Sequence, residues 1–342
     1  RVKSMTNTLT SDAAATILER DPTAALQYTT TEGLPALRGW IDDDPERVLV
    51  THGSQQALDL LVRATVRPGD TVALADPGYV GALQVFRAAG ADLAGVPADR
   101  HGLRVDVLAD RLADGLRPTL VYVVPEFDNP SGVTLAGERR RALAGLAETY
   151  GFLIVADDPY GALRWRGDGL PPLTAHTDRV VTLGTTSKVL TPGLRVGWAV
   201  ADPDLTRRLV VLKQAADLHT SSLGQQLAVA LLTDEAFLGP HLDALRARYR
   251  AQCDALSDAL EPLPLRFHRP DGGMFLWAEL TDGRDTAALL PQALEAGVAY
   301  VPGSAFSVQT PHTTALRLSF ATAAPEALQE ATHRLRTTLD GR

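Results

Sequence analysis

Short runs of β-branched and apolar residues alternate with longer amphipathic stretches from about residue 46 onward. Between these runs, apolar residues recur at helical spacing, as in QQALDLLVRATV (55–66) and ERRRALAGLAETYG (138–151). Strands that alternate with helices are typical of βα units, which build a largely parallel sheet. We therefore predict an α/β fold with six strands in this region: RVLVT (47–51), TVALAD (71–76), TLVYVV (119–124), FLIVAD (152–157), RVVTLG (179–184) and VGWAVA (196–201).

The pattern changes near residue 236, where a long helical stretch precedes isolated strand-like segments. The helical stretch is LDALRARYRAQCDALSDAL, and the strand-like segments are RFHRPDGGMFLWAEL, GVAYVP and ALRLSFA. A final helix opens near Pro325. We expect a large domain over residues 46–235 and a smaller α+β domain formed by residues 1–45 together with 236–342.

The composition limits the possible function classes. The 342 residues are 45% hydrophobic and 22% charged, which predicts a globular chain with a sizeable core. The net charge of -8, without a basic run that contains aromatics, argues against nucleic acid as a partner. No apolar run approaches the roughly 18 residues of a membrane span, and the first residues lack the apolar core of a signal peptide. The single Cys253, with no CxxC or HExxH motif, predicts no metal site and a reducing, cytoplasmic setting.

Reactive or anion-binding side chains follow most of the predicted strands. In an open α/β sheet, ligands bind beyond the carboxyl ends of the strands. We therefore predict that one site collects the residues at these ends, which are Ser54, Gln55, Tyr79, Asn129, Asp157, Tyr160 and Lys188.

Lys188 is the most informative of these residues. The chain has 33 Lys and Arg residues, of which only three are lysines: Lys3, Lys188 and Lys213. Lys188 follows an apolar strand, and the hydroxyl groups and guanidinium of Thr185, Ser187 and Arg195 could bind a phosphate dianion nearby. A lysine beside a phosphate site indicates a Schiff base to pyridoxal phosphate. The alternative is an ordinary solvated loop lysine.

The other strand-end residues fit the same cofactor, although each has a plainer interpretation. Asp157 could face the ring nitrogen, which must stay protonated for the ring to act as an electron sink, or could be a helix N-cap. Tyr160 and Asn129 could contact the phenolic oxygen, or be a packed aromatic and a turn former. Ser54 with Gln55 could open a phosphate-binding helix or simply cap it, and Tyr79 could stack on the ring or pack in a turn.

Eight motifs carry a resemblance that covers nearly the whole chain in the family's order. They are GSQQ (53), PGY (77), NPSG (129), DDPY (157), TSKVLTPGLRVGW (186), KQAADLHTSSL (213), GGMFLW (272) and RLSF (317). The chain resembles the fold-type I, class I/II aminotransferases, closest to the 2-aminoadipate and kynurenine aminotransferase branch and to the aminotransferase-like half of MocR regulators. The resemblance implies a mostly parallel seven-stranded sheet between helices and a smaller α+β domain.

The resemblance also implies roles for individual residues around pyridoxal phosphate. Lys188 would carry the Schiff base, Asp157 would pair with the ring nitrogen, and Asn129 and Tyr160 would contact the phenolic oxygen. Tyr79 would stack on the ring. The phosphate would be bound by Ser54, Gln55, Thr185, Ser187 and Arg195.

Three further residues match family positions that concern the substrate or the partner subunit. Tyr28 resembles the tyrosine that reaches the phosphate of the neighbouring subunit, which implies a homodimer with shared active sites; the alternative is a core tyrosine beside a glycine turn. Arg317 resembles the arginine that binds the substrate α-carboxylate, or it is an ordinary strand-edge arginine. Gly33 matches the small residue near the bound substrate.

The implied reaction is a ping-pong transamination from an L-amino acid to a 2-oxo acid, with 2-oxoglutarate expected as the acceptor. Asp128 departs from the family, which more often has Gln, His or Ser there, so we hypothesise that it points away from the cofactor or meets a basic substrate group.

Two alternatives to an aminotransferase stay open. The nearer one is an oxidase, cyclase or lyase that uses pyridoxal phosphate on the same fold. A MocR-type effector domain needs a basic winged-helix segment upstream, which the 27 residues before Tyr28 do not provide. The lack of GxGxxG and P-loop motifs disfavours a nucleotide-binding domain.

Overall fold

A computed structural model describes residues 2–340 of the chain, with side chains from residue 10 onward. Its first part contains nine α-helices: α1 (Val2–Arg20), α2 (Pro22–Leu26), α3 (Pro35–Ile41), α4 (Ser54–Thr65), α5 (Val80–Ala88), α6 (Val105–Ala113), α7 (Gly137–Tyr150), α8 (Pro203–Asp217) and α9 (Ser222–Leu232). The strands of this part are β1 (Val48–Thr51), β2 (Thr71–Asp76), β3 (Asp92–Asp99), β4 (Gly102–Leu103), β5 (Pro118–Val123), β6 (Leu153–Asp157), β7 (Val180–Thr185) and β8 (Gly197–Val200). The elements that follow are α10 (Glu235–Leu260), β9 (Leu265–Phe267), β10 (Phe275–Leu280), α11 (Thr286–Glu295), β11 (Val301–Pro302), β12 (Ala315–Ser319) and α12 (Pro325–Leu339).

The larger sheet has the strand order β1-β8-β7-β6-β5-β2-β3-β4. Strands β2, β3, β5, β6 and β7 pair in parallel, whereas β8 runs antiparallel to both β1 and β7. The prediction of an α/β fold is confirmed, but the predicted number of seven strands is wrong. The eighth strand is the two-residue β4, which pairs antiparallel with the end of β3.

The larger sheet is buried on both faces, which explains why its strands are nearly continuous apolar runs. Alternate residues of one strand belong to different clusters of the core. Leu74 belongs with Phe86 of α5 to the cluster on one face, and Ala73 belongs with Leu143 of α7 to the cluster on the other. Helices on both sides therefore leave the carboxyl ends of the parallel strands as the place where polar side chains gather.

Several helices begin where the sequence provides a cap or a proline. Asp202, Asp234 and Asp285 precede α8, α10 and α11, and each carboxylate accepts a hydrogen bond from a backbone N–H of the first turn. Pro203 and Pro325 occupy the first position of α8 and α12, where the missing N–H has no intrahelical partner.

A second, antiparallel sheet has the order β11-β12-β10-β9. Helices α10 and α12 pack together beside it, and α1 lies against α9. The structure thus contains the predicted strands after residue 236 and the predicted helix at Pro325. The domain boundaries stay a prediction. Residues 1, 341 and 342 lie outside the described residues. Across residues 2–340 no helix is both long and apolar enough to cross a bilayer, and no cluster of His, Cys, Asp or Glu could coordinate a metal.

Candidate active site

A cavity of about 160 Å³ opens beyond the carboxyl ends of β2, β5, β6 and β7. All ten residues predicted to bind the cofactor from the strand ends and the Lys188 loop line this one cavity. Its lining consists of Gly53, Ser54, Gln55, Tyr79, Tyr122, Val124, Asn129, Asp157, Pro159, Tyr160, Thr185, Ser187, Lys188, Arg195 and Phe275. The fold thus brings together residues that lie far apart along the chain, from Gly53 after β1 to Phe275 at the start of β10 in the second sheet.

One end of the cavity is built to receive an anion. The N-cap of α4 is Gly53, with φ +77° and no capping side chain, so the interpretation of Ser54 as the N-cap is wrong and Ser54 is the first helical residue. The Arg195 guanidinium lies against this turn, where a Cβ on Gly53 would be 2.7 Å from Nη2. A helix N-terminus beside a guanidinium favours a negatively charged ligand.

The loop after β7 supplies two hydroxyl groups at the same end. Thr185 Oγ1 lies 2.9 Å from Ser187 Oγ and donates to the Val196 carbonyl at 3.0 Å. Arg195 itself has a left-handed backbone, with φ +53°, which is uncommon for a residue with a side chain and is found at functional sites. The loop therefore presents Ser187, Lys188 and Arg195 on one side of the cavity.

Tyr79 and Gln55 form the next part of the wall. The Gln55 amide donates to the Gly81 carbonyl at 2.9 Å, and the Tyr79 hydroxyl donates to Gln55 Oε1 at 3.3 Å. Because the Gln55 side chain is engaged in this way, its contribution to an anion site would come from its backbone N–H.

Asp157 is a buried acid in the wall of the same cavity. Its Oδ2 accepts a hydrogen bond from the Tyr122 hydroxyl at 2.8 Å, while its buried Oδ1 has no hydrogen-bond partner within the part of the chain that the structure describes. Burial raises the pKa of Asp157 to about 7, against the opposing effects of the Tyr122 hydrogen bond and the Lys188 charge. An acceptor oxygen that is buried and unpartnered is costly unless a ligand donates to it.

Tyr122 is a site residue that the sequence analysis missed. It lies within β5 and pairs in register with Val155, so it neighbours Asp157 diagonally on the same face of the sheet. The strand pairing was the only signal that could have identified it.

Lys188 is half-buried in the cavity wall, near both Arg195 and Asp157. Burial lowers the pKa of Lys188, as does the positive charge of Arg195, and the carboxylate of Asp157 opposes the shift. A larger fraction of this amine is therefore neutral at a given pH than for an exposed lysine.

Arg317 lies next to the cavity rather than in its lining. Its Nη1 donates to Asn129 Oδ1 at 2.9 Å, and its guanidinium carbon is 4.2 Å from the ring centre of Phe275 and 5.0 Å from that of Phe306. The Arg317 Nε is buried and has no partner among the described residues. The interpretation of Arg317 as a strand-edge arginine is wrong, because β12 lies between β11 and β10 and Arg317 pairs with both. Its predicted role toward the substrate carboxylate stays a prediction.

Two further predicted residues, like Arg317, lie outside the lining of the cavity. Tyr28 is 78% exposed and its ring meets His219 edge to face at 5.6 Å, so the alternative of a core tyrosine is wrong. Gly33 has φ +108°, and a Cβ at this position would collide with the Val50 side chain. The positive φ and this close contact explain the glycine without reference to a substrate. Their predicted roles toward phosphate and substrate stay predictions.

Asp128 lines a separate small cleft with Val133 and Leu135 rather than the main cavity. Ser131 Oγ donates to Asp128 Oδ2 at 2.7 Å, and burial raises the pKa of Asp128 to about 6. This arrangement favours the first of the two hypotheses for Asp128, in which its carboxyl group points away from the cofactor.

The donor set of the cavity fits pyridoxal phosphate. The Asp157 oxygen without a partner among the described residues can accept from a donor such as a protonated ring nitrogen, and the turn at Gly53 with Arg195 favours an anion such as a phosphate. The same cavity contains an amine with a lowered pKa, which is the group that reacts with an aldehyde.

Comparisons with known proteins agree with this fit. The profile of the family described as aminotransferase class I and II matches residues 3–335. The chain is 41% identical to a 2-aminoadipate transaminase of Thermus thermophilus, over 96% of this chain and 85% of that protein. It is 38% identical to aromatic-amino-acid aminotransferase 1 of Thermococcus litoralis, over 94% and 82% respectively.

A solved structure gives the same result for the fold. The alpha-aminoadipate aminotransferase of Thermus thermophilus, complexed with N-(5'-phosphopyridoxyl)-L-leucine, superposes with a TM-score of 0.93 at 39% identity. The superposition covers 98% of this chain and 88% of that one. The chain therefore belongs to the class I and II aminotransferases and is an enzyme that depends on pyridoxal phosphate.

Proposed function

We propose that this aminotransferase performs its chemistry in the cavity that contains Arg195 and Asp157, with Lys188 as the catalytic amine. The observation that supports the proposal most strongly is the unpartnered, buried Oδ1 of Asp157 in the same cavity as Lys188 and the anion-binding turn. Each of these features alone has a plainer explanation, but one cavity of about 160 Å³ contains all three.

The cofactor would be bound at both ends by this chain's own residues. Asp157 would accept from the ring nitrogen, Asn129 and Tyr160 would donate to the phenolic oxygen, and Tyr79 would cover the ring. The phosphate would be bound by Ser54, Gln55, Thr185, Ser187 and Arg195. When bound, pyridoxal phosphate supplies an electron sink that stabilises negative charge at the substrate Cα.

Lys188 would move the proton at the substrate Cα. Its lowered pKa increases the fraction of free amine, which is the form that can accept a proton near neutral pH. A protonated ring nitrogen would favour the charged form of Asp157, whose carboxylate the Tyr122 hydroxyl orients.

Arg317 would bind the substrate α-carboxylate. Asn129 and the rings of Phe275 and Phe306 fix the guanidinium, and the Nε–H is left to donate. We propose an L-amino acid donor and 2-oxoglutarate as the acceptor in a ping-pong transamination. The donors to test first are 2-aminoadipate and the aromatic amino acids, which the names of the relatives suggest, together with leucine.

A homodimer with shared active sites is proposed on the exposure of Tyr28. A tyrosine that is 78% exposed beside the half-buried His219 is placed to contact a second copy of the chain. A cytoplasmic setting is proposed because the only cysteine, Cys253, cannot form an intrachain disulfide.

The three lysines make a direct test of the catalytic amine possible. Borohydride reduction of the enzyme with bound cofactor, followed by peptide mapping, should place the label on Lys188. Lys188→Ala should abolish the label, and Lys3→Arg should leave it in place as the matched control. A label on Lys3 or Lys213 would overturn the assignment.

A second measurement separates transamination from the alternatives on the same fold. In single turnovers without acceptor, each candidate donor should convert the absorbance of the bound cofactor to that of its amine form. Added 2-oxoglutarate should then yield glutamate in a 1:1 ratio to the oxo acid product, which is about the stoichiometry that ping-pong transfer requires. Turnover that needs no oxo acid acceptor would favour an oxidase, cyclase or lyase.

A further inference from the structure

A second lysine, Lys213, is fully buried in helix α8. Its side chain has 0% exposure, and its Nζ donates to Asp217 Oδ1 at 2.8 Å, to Asp217 Oδ2 at 3.0 Å and to Gln56 Oε1 at 3.0 Å. An ammonium group has three donors, and these three acceptors satisfy all of them. The compact geometry of this site suits a lysine and not the larger, planar guanidinium of an arginine.

The acceptors of Lys213 connect it to the turn that precedes α4. Gln56 Oε1 also accepts from the backbone N–H of His52 at 2.8 Å, and Gln56 Nε2 donates to Asp217 Oδ2 at 2.7 Å. The His52 ring is bound to the same carboxylate, with Nδ1 2.7 Å from Asp217 Oδ2. The ring of His52 is therefore fixed by Asp217 directly, and its backbone is fixed through Gln56, which both Lys213 and Asp217 bind.

The turn that this network fixes is the anion-binding end of the cavity. The His52 carbonyl accepts from Arg195 Nη2 at 3.3 Å, and Gly53 has φ +77°. On the other side the backbone of Gly197 presses against Gly53 and Ser54, where any side chain at position 197 would collide. A small displacement of His52 would move both the N-terminus of α4 and the guanidinium of Arg195.

We propose that Lys213 and Asp217 are positioning residues for the cofactor phosphate. Neither residue lines the cavity, so both act through Gln56 and His52 on the turn at Gly53. The inference rests on the proposed phosphate site and adds to it two residues of helix α8 that lie behind the turn.

The ion pair joins a fully buried lysine to a carboxylate that is 24% exposed. Burying an ammonium group has a large desolvation cost, and apolar residues of similar volume are often as stabilising as such a pair or more so. The pair is therefore weak evidence for stability, and fixing the geometry of the neighbouring turn is the role that its contacts support. The network reaches the phosphate-binding turn through two separate routes, the Gln56 amide and the His52 ring, which is what positioning requires.

The test compares pyridoxal phosphate with pyridoxal, which lacks the phosphate. Wild-type enzyme, Lys213→Arg and Gln56→Leu are stripped of cofactor, and their affinities for both compounds are measured by absorbance titration. We expect the affinity for pyridoxal phosphate to fall about tenfold in both variants, the size of effect produced by losing a charged or buried hydrogen bond. The affinity for pyridoxal should stay at the wild-type value, so the ratio of the two affinities falls.

Arg207→Met is the matched control, because Arg207 pairs with Asp204 on the exposed side of the same helix. It should leave both affinities and their ratio unchanged. An unchanged ratio in a folded Gln56→Leu variant, or equal losses for both compounds, would overturn the positioning role. Far-ultraviolet circular dichroism checks folding, and Gln56→Leu serves if Lys213→Arg does not fold. A wild-type enzyme that binds neither compound would instead overturn the proposed function.

Discussion

Two buried aspartates end two parallel strands of the same sheet and behave in opposite ways. Asp76 is the last residue of β2 and Asp157 the last residue of β6, and each is 5% exposed. The pKa of Asp157 is raised to about 7 by burial. Burial also acts on Asp76, yet hydrogen bonds from His312 and from three backbone N–H groups outweigh it and hold the pKa of Asp76 well below its usual range.

The partners of the two carboxylates explain the difference. Asp76 accepts from the N–H groups of Val308, Gln309 and Thr310 and from His312 Nε2 at 2.9 Å, which ties the end of β2 to the segment before β12. Asp157 has one donor, Tyr122, and an oxygen left over among the described residues. A carboxylate whose acceptors are filled by the chain serves the fold, whereas one with an open acceptor in a cavity is available to a ligand.

The two aspartates should differ most in how their substitution affects activity. Asp157→Asn removes the negative charge opposite the ring nitrogen, and we expect kcat to fall on the order of 10²-fold, as when one preorganised electrostatic contact is lost. Asp76→Asn, the matched change at the other strand end, should keep most of the wild-type rate. Single-turnover rates with a good donor measure both, and similar losses in the two variants would contradict the division of roles.

The free energy of unfolding should fall when Asp76 is substituted and not when Asp157 is substituted. Asp76→Asn is expected to lower the free energy of unfolding by about 1.5–3 kcal/mol at pH 7, because several hydrogen bonds to a charged group are weakened. The folded pKa lies below the unfolded value of about 3.9. The contribution of Asp76 is therefore present at neutral pH and is lost as the pH falls through the unfolded and then the folded pKa. Urea unfolding from neutral to acid pH should show a shallower acid loss in the variant.

Asp157 should affect stability with the reverse sign in the cofactor-free protein. Its folded pKa of about 7 lies above the unfolded value, so the native state binds the extra proton and stability falls as the pH rises between the two. Asp157→Asn mimics the protonated carboxyl. The variant should match the wild type at acid pH and exceed it above neutral pH, and a less stable Asp157→Asn variant at alkaline pH would refute the raised pKa.

The sequence predicts the strands and the strand-end residues for the same physical reason. A strand buried on both faces reads as a continuous apolar run, and a parallel sheet places the carboxyl ends of such runs side by side. Strand β3 was missed because Gly95 and Pro97 interrupt its run and leave Val96 as its one β-branched residue. Its place in the sheet depends on its pairing with β2, which no local pattern encodes.

The parts of the site that were missed depend on contacts between distant segments. Tyr122 lies in mid-strand, and only the register of β5 against β6 brings its hydroxyl to Asp157. Phe306 lies between β11 and β12, and only the folding of the second sheet brings its ring within 5.0 Å of the Arg317 guanidinium carbon. The roles that the resemblance assigns to Tyr28 and Gly33 concern a partner subunit and a substrate, and they stay predictions.

Tyr122→Phe should give the smallest effect and the most specific one. The hydroxyl of Tyr122 donates to Asp157 Oδ2 and lowers the pKa of that carboxyl, so its removal should move the pKa upward from about 7. Infrared difference spectra of the carboxyl band against pH would measure the shift in the cofactor-free protein. Tyr300→Phe removes another buried hydroxyl, whose hydrogen bond, 2.7 Å to the Thr286 carbonyl, lies in the other part of the molecule. Tyr300→Phe should leave the pKa of Asp157 unchanged. A shift of that pKa in both variants would mean that general loosening of the fold, rather than the Tyr122 hydrogen bond, determines it.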